Sequence, residues 1–257
     1  MVFFIAKFYF SKSPSPSFSQ APPTVVDKVT HVATKTFDSA GTGSNLAPPV
    51  RIFNRSILAK AGLPRIVYVG AEYCPYCAAE RWAVVVALSR FGTFSHLGAT
   101  HSSTSDVYPG TKTFSFYKSS YKSKYITFTP VETQSNQPQG NSYAPLQSLT
   151  STESQLLNTY DTTPYTSVQG GIPFLDIANQ FLITGATYSP GVLSGKSMNE
   201  IATEITKPNS TISNNINASA NLITAAVCSV THNQPSSVCN SAIIHKTLGY
   251  LNSLPIK

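Results

Sequence analysis

Apolar runs separated by polar turns divide the chain into short predicted strands and helices. The run Ile66–Ala71 (IVYVGA) is short and rich in β-prone residues, so it predicts a buried strand over residues 65–71. Residues 78–91 (AAERWAVVVALSRF) are apolar around most of a helical circumference, which predicts a helix buried on more than one side. Two further apolar runs enclose Asn179-Gln180 and predict a β-hairpin, in which a proline suits a strand start better than a strand centre.

Weaker patterns predict the remaining elements, which are a short strand and four helices at residues 50–53, 152–160, 197–205, 217–230 and 237–251. The last two helices form a predicted C-terminal extension at 217–251, after a Ser/Asn-rich linker at 207–216. Residues 93–150 contain short β-prone runs between Ser, Lys and Gly, and they predict an irregular β-rich insertion with a Gln/Asn/Pro-rich loop at 133–147.

Residues 1–47 are predicted to precede the folded domain, which begins near Pro48 and extends to residue 257. Val2–Phe10 is apolar except for Lys7, but it is too short to span a bilayer, which takes about 20 residues. The segment is compatible with membrane attachment through the remnant of an anchor, and equally with a frayed apolar end. A Ser/Pro-rich stretch at 11–24 predicts an extended linker, and residues 25–32 carry only a weak strand pattern.

Charged residues make up only 11% of the chain, against about 25% in typical soluble domains. The net charge of +7 reflects scarce carboxylates (11) as much as abundant basic residues (18). The basic residues are scattered apart from the segment Lys118–Lys124, so we expect no nucleic-acid partner. A sparsely charged surface rich in hydroxyl groups is typical of proteins outside the cytosol, and Asn-x-Ser/Thr triplets at Asn54, Asn209 and Asn217 are compatible with that location. We therefore expect an extracytoplasmic or cell-envelope protein. The sequence carries no signal for an oligomeric state.

The block Cys74-Pro75-Tyr76-Cys77 connects the predicted strand at 65–71 to the helix that follows. This order places the first thiol at a helix N-terminus, where free backbone N–H groups and the helix dipole favour a thiolate. A second thiol one turn away completes the minimum needed for thiol–disulfide exchange. Two alternatives stay open, a static structural disulfide or a zinc site completed by Cys228, Cys239, His96 or His101. These residues lack the usual zinc spacing, so we expect no metal.

Cys228 and Cys239 flank a Pro-containing loop between the last two predicted helices. A disulfide between them would link the two helices and could contribute roughly 3 kcal/mol in the chain-entropy model. A second redox pair that passes electrons to Cys74 and Cys77, or two free thiols, are the alternatives. Two pairs of cysteines also favour an oxidising compartment.

The order of strand, Cys-x-x-Cys helix, long excursion, x-Pro hairpin and final helices resembles the thioredoxin-like superfamily. Three local features carry the resemblance: Gly70–Cys77 (GAEYCPYC), Gly171–Phe174 (GIPF) and the predicted helix that starts at Cys77. At finer grain the chain resembles the largely archaeal domain-of-unknown-function family 929 over roughly residues 48–251. The resemblance implies an α/β thioredoxin-like fold, in which helices flank a central mixed sheet and the β-rich insertion and C-terminal helices are additions.

The resemblance also implies roles for individual residues. Cys74 would be the exposed attacking thiolate and Cys77 the buried resolving thiol. Pro173 would be a cis-proline packed against the disulfide, and the backbone of Ile172 would pair with an extended substrate. Tyr76, in the Pro-Tyr dipeptide that glutaredoxins also have, would contact the substrate.

The chain departs from the thioredoxin pattern at the buried acid that usually lies six residues before the first cysteine, a position occupied here by Tyr68. Glu72 is the nearest carboxylate in sequence, and we consider it for proton transfer through water. The sequence thus predicts a cofactor-independent thiol–disulfide oxidoreductase that acts on secreted or envelope protein thiols and disulfides, or on a small thiol. The alternative is a thioredoxin-like binding or chaperone module with a structural disulfide. An exposed Cys74 of low pKa favours the enzyme, and a buried Cys74 of ordinary pKa favours the module.

Overall fold

A computed structural model describes residues 18–43, 45–52 and 55–257. The apolar segment Val2–Phe10, half of the expected Ser/Pro linker and Asn54 lie outside the described residues. The strands, in chain order, are β1 (Val50–Arg51), β2 (Ala59–Lys60), β3 (Leu63–Gly70), β4 (Gly92–Ser95), β5 (Gly98–His101), β6 (Lys112–Ser115), β7 (Ser120–Ser123), β8 (Thr127–Glu132), β9 (Gln134–Gln139), β10 (Ser142–Pro145), β11 (Phe174–Ile177) and β12 (Phe181–Thr184).

The helices are α1 (Pro23–Thr30), α2 (Thr34–Ala40), α3 (Pro75–Leu88), α4 (Ser151–Tyr160), α5 (Met198–Ile205), α6 (Thr211–Val230), α7 (Ser236–Cys239) and α8 (Ala242–Ser253), with a 3-10 turn at Pro190–Leu193. None of the helices in the described ranges is both long and apolar enough to cross a bilayer.

The central sheet is mixed, with the strand order β1-β12-β11-β3-β8. Strand β8 runs parallel to β3, whereas β11 pairs antiparallel with β3 on its other side. Strand β12 continues the sheet antiparallel to β11, and β1 closes it antiparallel to β12. The short β2 pairs with the start of β3. Helices cover both faces, so the predicted α/β class with a central mixed sheet flanked by helices is confirmed.

Alternating side chains of β3 enter two different hydrophobic clusters. Ile66 and Tyr68 pack in the larger cluster, which holds much of α3 and α6, while Val67 and Val69 pack in the smaller cluster with Leu156 and other residues of α4. This two-residue period is what an extended strand imposes on side-chain direction. Because β3 is buried on both faces, its sequence is a continuous apolar run and not an alternating one.

The region before Pro48 differs from the expected linker. Residues 25–32 fall mostly in α1 and form no strand, because a proline at the first position of α1 starts a helix and Val25 and Val29 lie one turn apart on its inner face. Both valines, and Phe37 of α2, are buried in the same cluster as α3 and α6. The folded domain therefore begins well before residue 48.

Two other segments differ from the sequence predictions. The segment 93–150 is not wholly an insertion, since β8 lies within it and belongs to the central sheet. Its expected loop at 133–147 is instead the β9–β10 hairpin, with a register shift between Tyr143 and Pro145. The expected linker at 207–216 contains the first residues of α6, whose Ser210 cap accepts a hydrogen bond from the Ser213 N–H.

Helix α6 is more deeply buried than its many polar residues indicate. The side-chain amides of Asn217 and Asn221 are fully buried and donate to the carbonyl oxygens of Ile205 and Phe37, respectively. Buried amides with partners of this kind are tolerated in a core. Asn217 is consequently inaccessible to glycosylation, whereas Asn209 is exposed.

Candidate active site at the start of helix α3

Cys74 is the N-cap residue of α3. Its sulfur accepts a hydrogen bond from the Cys77 N–H at 3.2 Å, and Pro75 occupies the first helical turn, where a missing N–H costs nothing. The Cys74 thiol also donates to the carbonyl oxygen of Ile172 at 3.6 Å. The sharp turn after β3 thus presents the first thiol to free N–H groups of the helix.

The two thiols have opposite pKa shifts. The pKa of Cys74 is lowered mainly by a hydrogen bond from the Cys77 thiol, with further help from the N–H groups of Cys77 and Tyr76 and the charge of Arg81, despite partial burial. Burial is the main cause that raises the pKa of Cys77 well above its usual value, and the adjacent Cys74 raises it further. Cys74 is therefore the thiol that ionises first.

Cys74 is less exposed than expected. Only 5% of the residue is accessible, because the peptide of Ile172 and the first turn of α3 lie against its sulfur. Cys77 is completely buried, and both cysteines are free thiols. Tyr76 between them is 42% exposed and is the one residue of α3 that is not buried. The open side of the site therefore lies beside Tyr76.

Ile172 and Pro173 reach the cysteines because of sheet pairing. Strand β11 runs antiparallel to β3 with Phe174 opposite Val69, so the segment before β11 lies beside the turn after β3. The Ile172–Pro173 peptide is cis, and the Pro173 carbonyl oxygen accepts a hydrogen bond from the Gly185 N–H at 2.7 Å. The structure thus brings Cys74, Cys77, Ile172 and Pro173 together although about a hundred residues separate the two pairs.

Tyrosines from distant segments surround the cysteine turn. The ring of Tyr76 packs edge-on against Tyr108 at 6.0 Å, and Tyr73 stacks on Tyr143 of β10 at 4.3 Å. The Tyr143 hydroxyl donates to the hydroxyl of Ser103, whose N–H donates to the Tyr73 carbonyl. These contacts hold the cysteine turn in place on its solvent-facing side. The sequence gives Tyr108 and Tyr143 no distinguishing pattern, so only the fold reveals them.

A cleft of about 600 Å³ lies next to the cysteine turn. Its lining includes Tyr76, Tyr165, Val168, Ile172 and Lys257. Val168 is 64% exposed, so the wall of the cleft carries apolar surface that faces solvent. This cleft provides space for a ligand beside the Ile172 backbone.

The Glu72 carboxylate is directed to a cavity away from the cysteine pair. Among the described residues no hydrogen bond joins it to Cys74 or Cys77, and it interacts with Ser115 and Thr100 at a separate cavity of about 150 Å³. Burial is the main cause that raises the pKa of Glu72. Its proximity in sequence therefore does not translate into direct contact with Cys77.

A buried ion pair lies on the inner side of the site, where the sequence analysis placed no functional residue. Arg81 donates from Nε and Nη2 to the carboxylate of Glu132 at 2.8 and 2.7 Å, and both side chains are fully buried. A second bond from Nη2 reaches the Ala71 carbonyl oxygen at 2.6 Å, at the start of the turn that leads from β3 to Cys74. Two adjacent charged residues, Glu80-Arg81, inside an otherwise apolar helix are the sequence signal for such a pair.

Cys228 and Cys239 form a disulfide that joins the end of α6 to α7, and both residues are fully buried. In the described part of the chain, no group of three or more His, Cys, Asp or Glu side chains is arranged to hold a metal ion.

A model of one protein family matches residues 49–229, which is well over half of the chain. The matched region contains the cysteine turn, the β11–β12 hairpin and Cys228, but not Cys239. No curated protein and no solved structure matches the chain. The chain belongs to the family described as domain of unknown function DUF929.

Proposed function

We propose that the protein is a thioredoxin-like thiol–disulfide oxidoreductase in which Cys74 attacks and Cys77 resolves. The observation that carries the proposal is the geometry of the pair: the Cys74 sulfur caps the N-terminus of α3 and accepts the Cys77 N–H at 3.2 Å, while Cys77 is fully buried. This arrangement lowers the pKa of Cys74 and raises that of Cys77. Exchange requires one thiol that is a thiolate near neutral pH and a second that stays protonated until the mixed disulfide exists.

The reaction needs no cofactor, because the two sulfur atoms carry both electrons. The Cys74 thiolate attacks a substrate disulfide, forms a Cys74–substrate disulfide and releases one substrate thiolate. Cys77 then attacks the Cys74 sulfur, which breaks the mixed disulfide and releases the second substrate thiolate. The proton lost by Cys77 ends on a departing thiolate. The reverse sequence oxidises a substrate dithiol, so the direction depends on the relative reduction potentials.

The order of elements supports the thioredoxin-like assignment of the fold. Strand β3, helix α3 and the parallel strand β8 form a crossover unit, followed by α4 and the antiparallel β11–β12 hairpin. The cysteine turn lies between the first strand and helix of this unit, and Ile172-Pro173 precedes the hairpin. The position of the cysteine turn and the proline before the hairpin match what the resemblance implies, and β8 adds a parallel strand that the sequence had assigned to the insertion.

For the substrate we propose cysteine-bearing polypeptides in an oxidising compartment outside the cytosol. The cleft beside Tyr76 and Ile172 has room for an extended segment on either side of a reacting cysteine. The Cys228–Cys239 disulfide is consistent with an oxidising compartment, since such bonds persist there.

One observation favours the alternative, a binding or chaperone module. Cys74 is only 5% exposed, so a substrate disulfide can reach its sulfur only through a narrow opening beside Tyr76. In a binding or chaperone module, Cys74 and Cys77 would form a stable disulfide. The cleft would then be the functional part, as a peptide-binding surface.

The reduction potential of the Cys74–Cys77 pair separates these two functions. Full-length Cys228→Ser/Cys239→Ser protein is equilibrated in glutathione redox buffers, and the oxidised fraction is counted by alkylation and mass spectrometry. An exchange enzyme has a potential between roughly −270 and −120 mV. A pair that stays oxidised below about −300 mV would support the binding module. Cys74→Ser is the control that must abolish the transition.

A further inference from the structure

The Arg81 side chain is buried, and it has more N–H donors than there are acceptors around it. Its Nε and Nη2 are occupied by Glu132 and the Ala71 carbonyl, but Nη1 is buried with no hydrogen-bond partner among the described residues. A guanidinium has five N–H donors, and an unpaired buried donor costs stability. A buried donor without a partner is explained if an acceptor forms beside it in another state of the protein, for example during a reaction.

Tyr68 presents a second donor of the same kind. It lies on β3, is completely buried, and its hydroxyl has no partner among the described residues. The guanidinium carbon of Arg81 lies 6.0 Å from the centre of the Tyr68 ring. Two unpaired donors therefore occupy one small region between β3 and α3.

Cys77 borders this region. Arg81 follows it by four residues on α3, and side chains at that spacing are neighbours on one helix face. Arg81 also bonds the Ala71 carbonyl, while a backbone hydrogen bond from Ala71 favours the Cys77 thiolate. The titratable or charged groups that interact with Cys77 or Arg81 are Glu72, Tyr73 and Cys74 on the same turn, Tyr68 on β3 and Glu132 on β8.

The resolving step of the proposed function requires an anion at this place. Once Cys74 is bonded to the substrate, its negative charge is gone and Cys77 must lose its proton inside a dry region. Burial raises the Cys77 pKa, whereas the charge of Arg81 lowers it. The thiolate then forms a bond to the Cys74 sulfur, the Cys74–substrate bond breaks, and the electron pair leaves with the substrate sulfur.

We propose that Arg81 and Tyr68 stabilise the Cys77 thiolate during resolution of the mixed disulfide, with Arg81 Nη1 and the Tyr68 hydroxyl as the donors. This inference rests on the proposed function. Glu132 holds the guanidinium in place and balances its charge while Cys77 is neutral. Arg81 and Tyr68 would thus favour resolution by stabilising the thiolate, whereas a buried acid would favour it by accepting the proton, which here passes to the departing thiolate or to solvent.

An aryl disulfide whose thiolate is coloured, 5,5′-dithiobis(2-nitrobenzoate), separates the two steps. Reduced full-length protein, with the Cys228–Cys239 disulfide kept intact, releases one aryl thiolate when Cys74 attacks. It releases a second when Cys77 resolves, and the proton from Cys77 passes to the buffer. The first phase depends on reagent concentration and the second does not. Cys77→Ser must release only one equivalent.

Tyr68→Phe removes one donor and leaves the ring packing in place. We expect it to slow the second phase about tenfold, the loss typical of a hydrogen bond to an anion, and to move that phase's pH midpoint upward by about one unit. The rate of the first phase should change little. Arg81→Met/Glu132→Gln removes the charge without leaving an unpaired carboxylate, and its effect on the second phase should be larger.

The experiment distinguishes failure of the proposed function from failure of the roles assigned to Tyr68 and Arg81. If wild-type protein releases no second equivalent, the proposed function fails. If wild-type protein shows both phases, and Tyr68→Phe, with a wild-type circular dichroism spectrum, leaves the rate and pH midpoint of the second phase unchanged, Tyr68 has no such role. If a folded Arg81→Met/Glu132→Gln variant behaves in the same way, Arg81 has no such role. Equal slowing of both phases in Tyr68→Phe would indicate a general structural defect and would overturn the inference for Tyr68. In Arg81→Met/Glu132→Gln some slowing of the first phase is expected, because the charge of Arg81 also lowers the pKa of Cys74, and slowing of the second phase no greater than that of the first would overturn the inference for Arg81.

Discussion

The Cys74 thiol donates to the carbonyl oxygen of Ile172 at 3.6 Å, across the junction between the end of β3 and the approach to β11. The same sulfur accepts the Cys77 N–H at 3.2 Å. The first contact suits the protonated thiol and the second suits the thiolate, so the sulfur has a partner in either state. When Cys74 ionises, its bond to Ile172 is lost, and in the proposed function that carbonyl would then accept a backbone N–H from an extended substrate.

Cys77→Ala is expected to raise the pKa of Cys74. The largest cause that lowers this pKa is the hydrogen bond from the Cys77 thiol, and alanine removes that donor while the backbone N–H groups remain. Titration of thiolate absorbance near 240 nm from pH 5 to 10 measures the change. Because serine restores a donor of similar size, Cys77→Ser is the matched control and should shift the midpoint less. Equal midpoints in Cys77→Ala and Cys77→Ser would contradict the assignment.

Loss of the Cys228–Cys239 disulfide is expected to destabilise the protein by roughly 3 kcal/mol, from the loop-closure entropy of a separation of 11 residues. Cys228→Ser/Cys239→Ser should therefore unfold at a lower urea concentration with a similar slope. The Cys74–Cys77 potential should stay the same if the second pair is structural. A shift in that potential would instead indicate electron transfer between the pairs.

The parts of the fold predictable from sequence are those with strong local patterns. The β11–β12 hairpin has two apolar runs around a polar turn, and α3 has an apolar circumference, so both follow from local sequence. Helix α6 was only partly predicted, because its first residues, 211–216, are rich in Ser and Asn and resemble a linker. The role of β8 in the central sheet depends on pairing with β3 some sixty residues earlier, which a local pattern does not encode.

The candidate site also contains residues that the sequence identifies and residues that only the fold reveals. Cys74, Cys77 and Pro173 stand in recognisable motifs, and the sheet brings them together. Arg81 and Glu132 meet only because α3 packs over β8, and the low exposure of Cys74 results from the tertiary contact with Ile172. Sequence proximity favoured Glu72, but its side chain faces a separate cavity.

Gly70→Ala is expected to destabilise the protein, although alanine suits a strand no worse than glycine. A Cβ atom at Gly70 would lie 2.4 Å from the Tyr68 hydroxyl oxygen and 2.7 Å from the ring carbon that bears it. Overpacking of this kind costs about 1–3 kcal/mol. In Tyr68→Phe/Gly70→Ala the hydroxyl contact is absent, so the cost of Gly70→Ala should be smaller in the Tyr68→Phe background. Urea unfolding of the four proteins in this cycle gives the coupling energy. Strict additivity would show that Gly70 and Tyr68 do not interact.

Glu80 on α3 should make the protein less stable as the pH rises through the range 4.5 to 7. Burial is the main cause that raises its pKa from 4.5 to about 7, although Thr187 donates to Oε2 from both its N–H and its hydroxyl. Between these two pH values the folded state keeps the proton and the unfolded state releases it. The free energy of unfolding therefore decreases with pH, by about 3 kcal/mol in total.

Glu80→Gln removes this titration and keeps an oxygen for Thr187, so its stability should fall less between pH 5 and pH 8 than that of wild type. Asp176, whose pKa burial likewise raises to about 7, contributes a slope of the same sign, and Asp176→Asn tests it separately. Urea unfolding at four pH values provides the comparison, because all other titrating groups cancel in the difference from wild type. Parallel curves for Glu80→Gln and wild type would mean that Glu80 titrates alike in both states, and that its burial in the core is compensated by partners beyond Thr187.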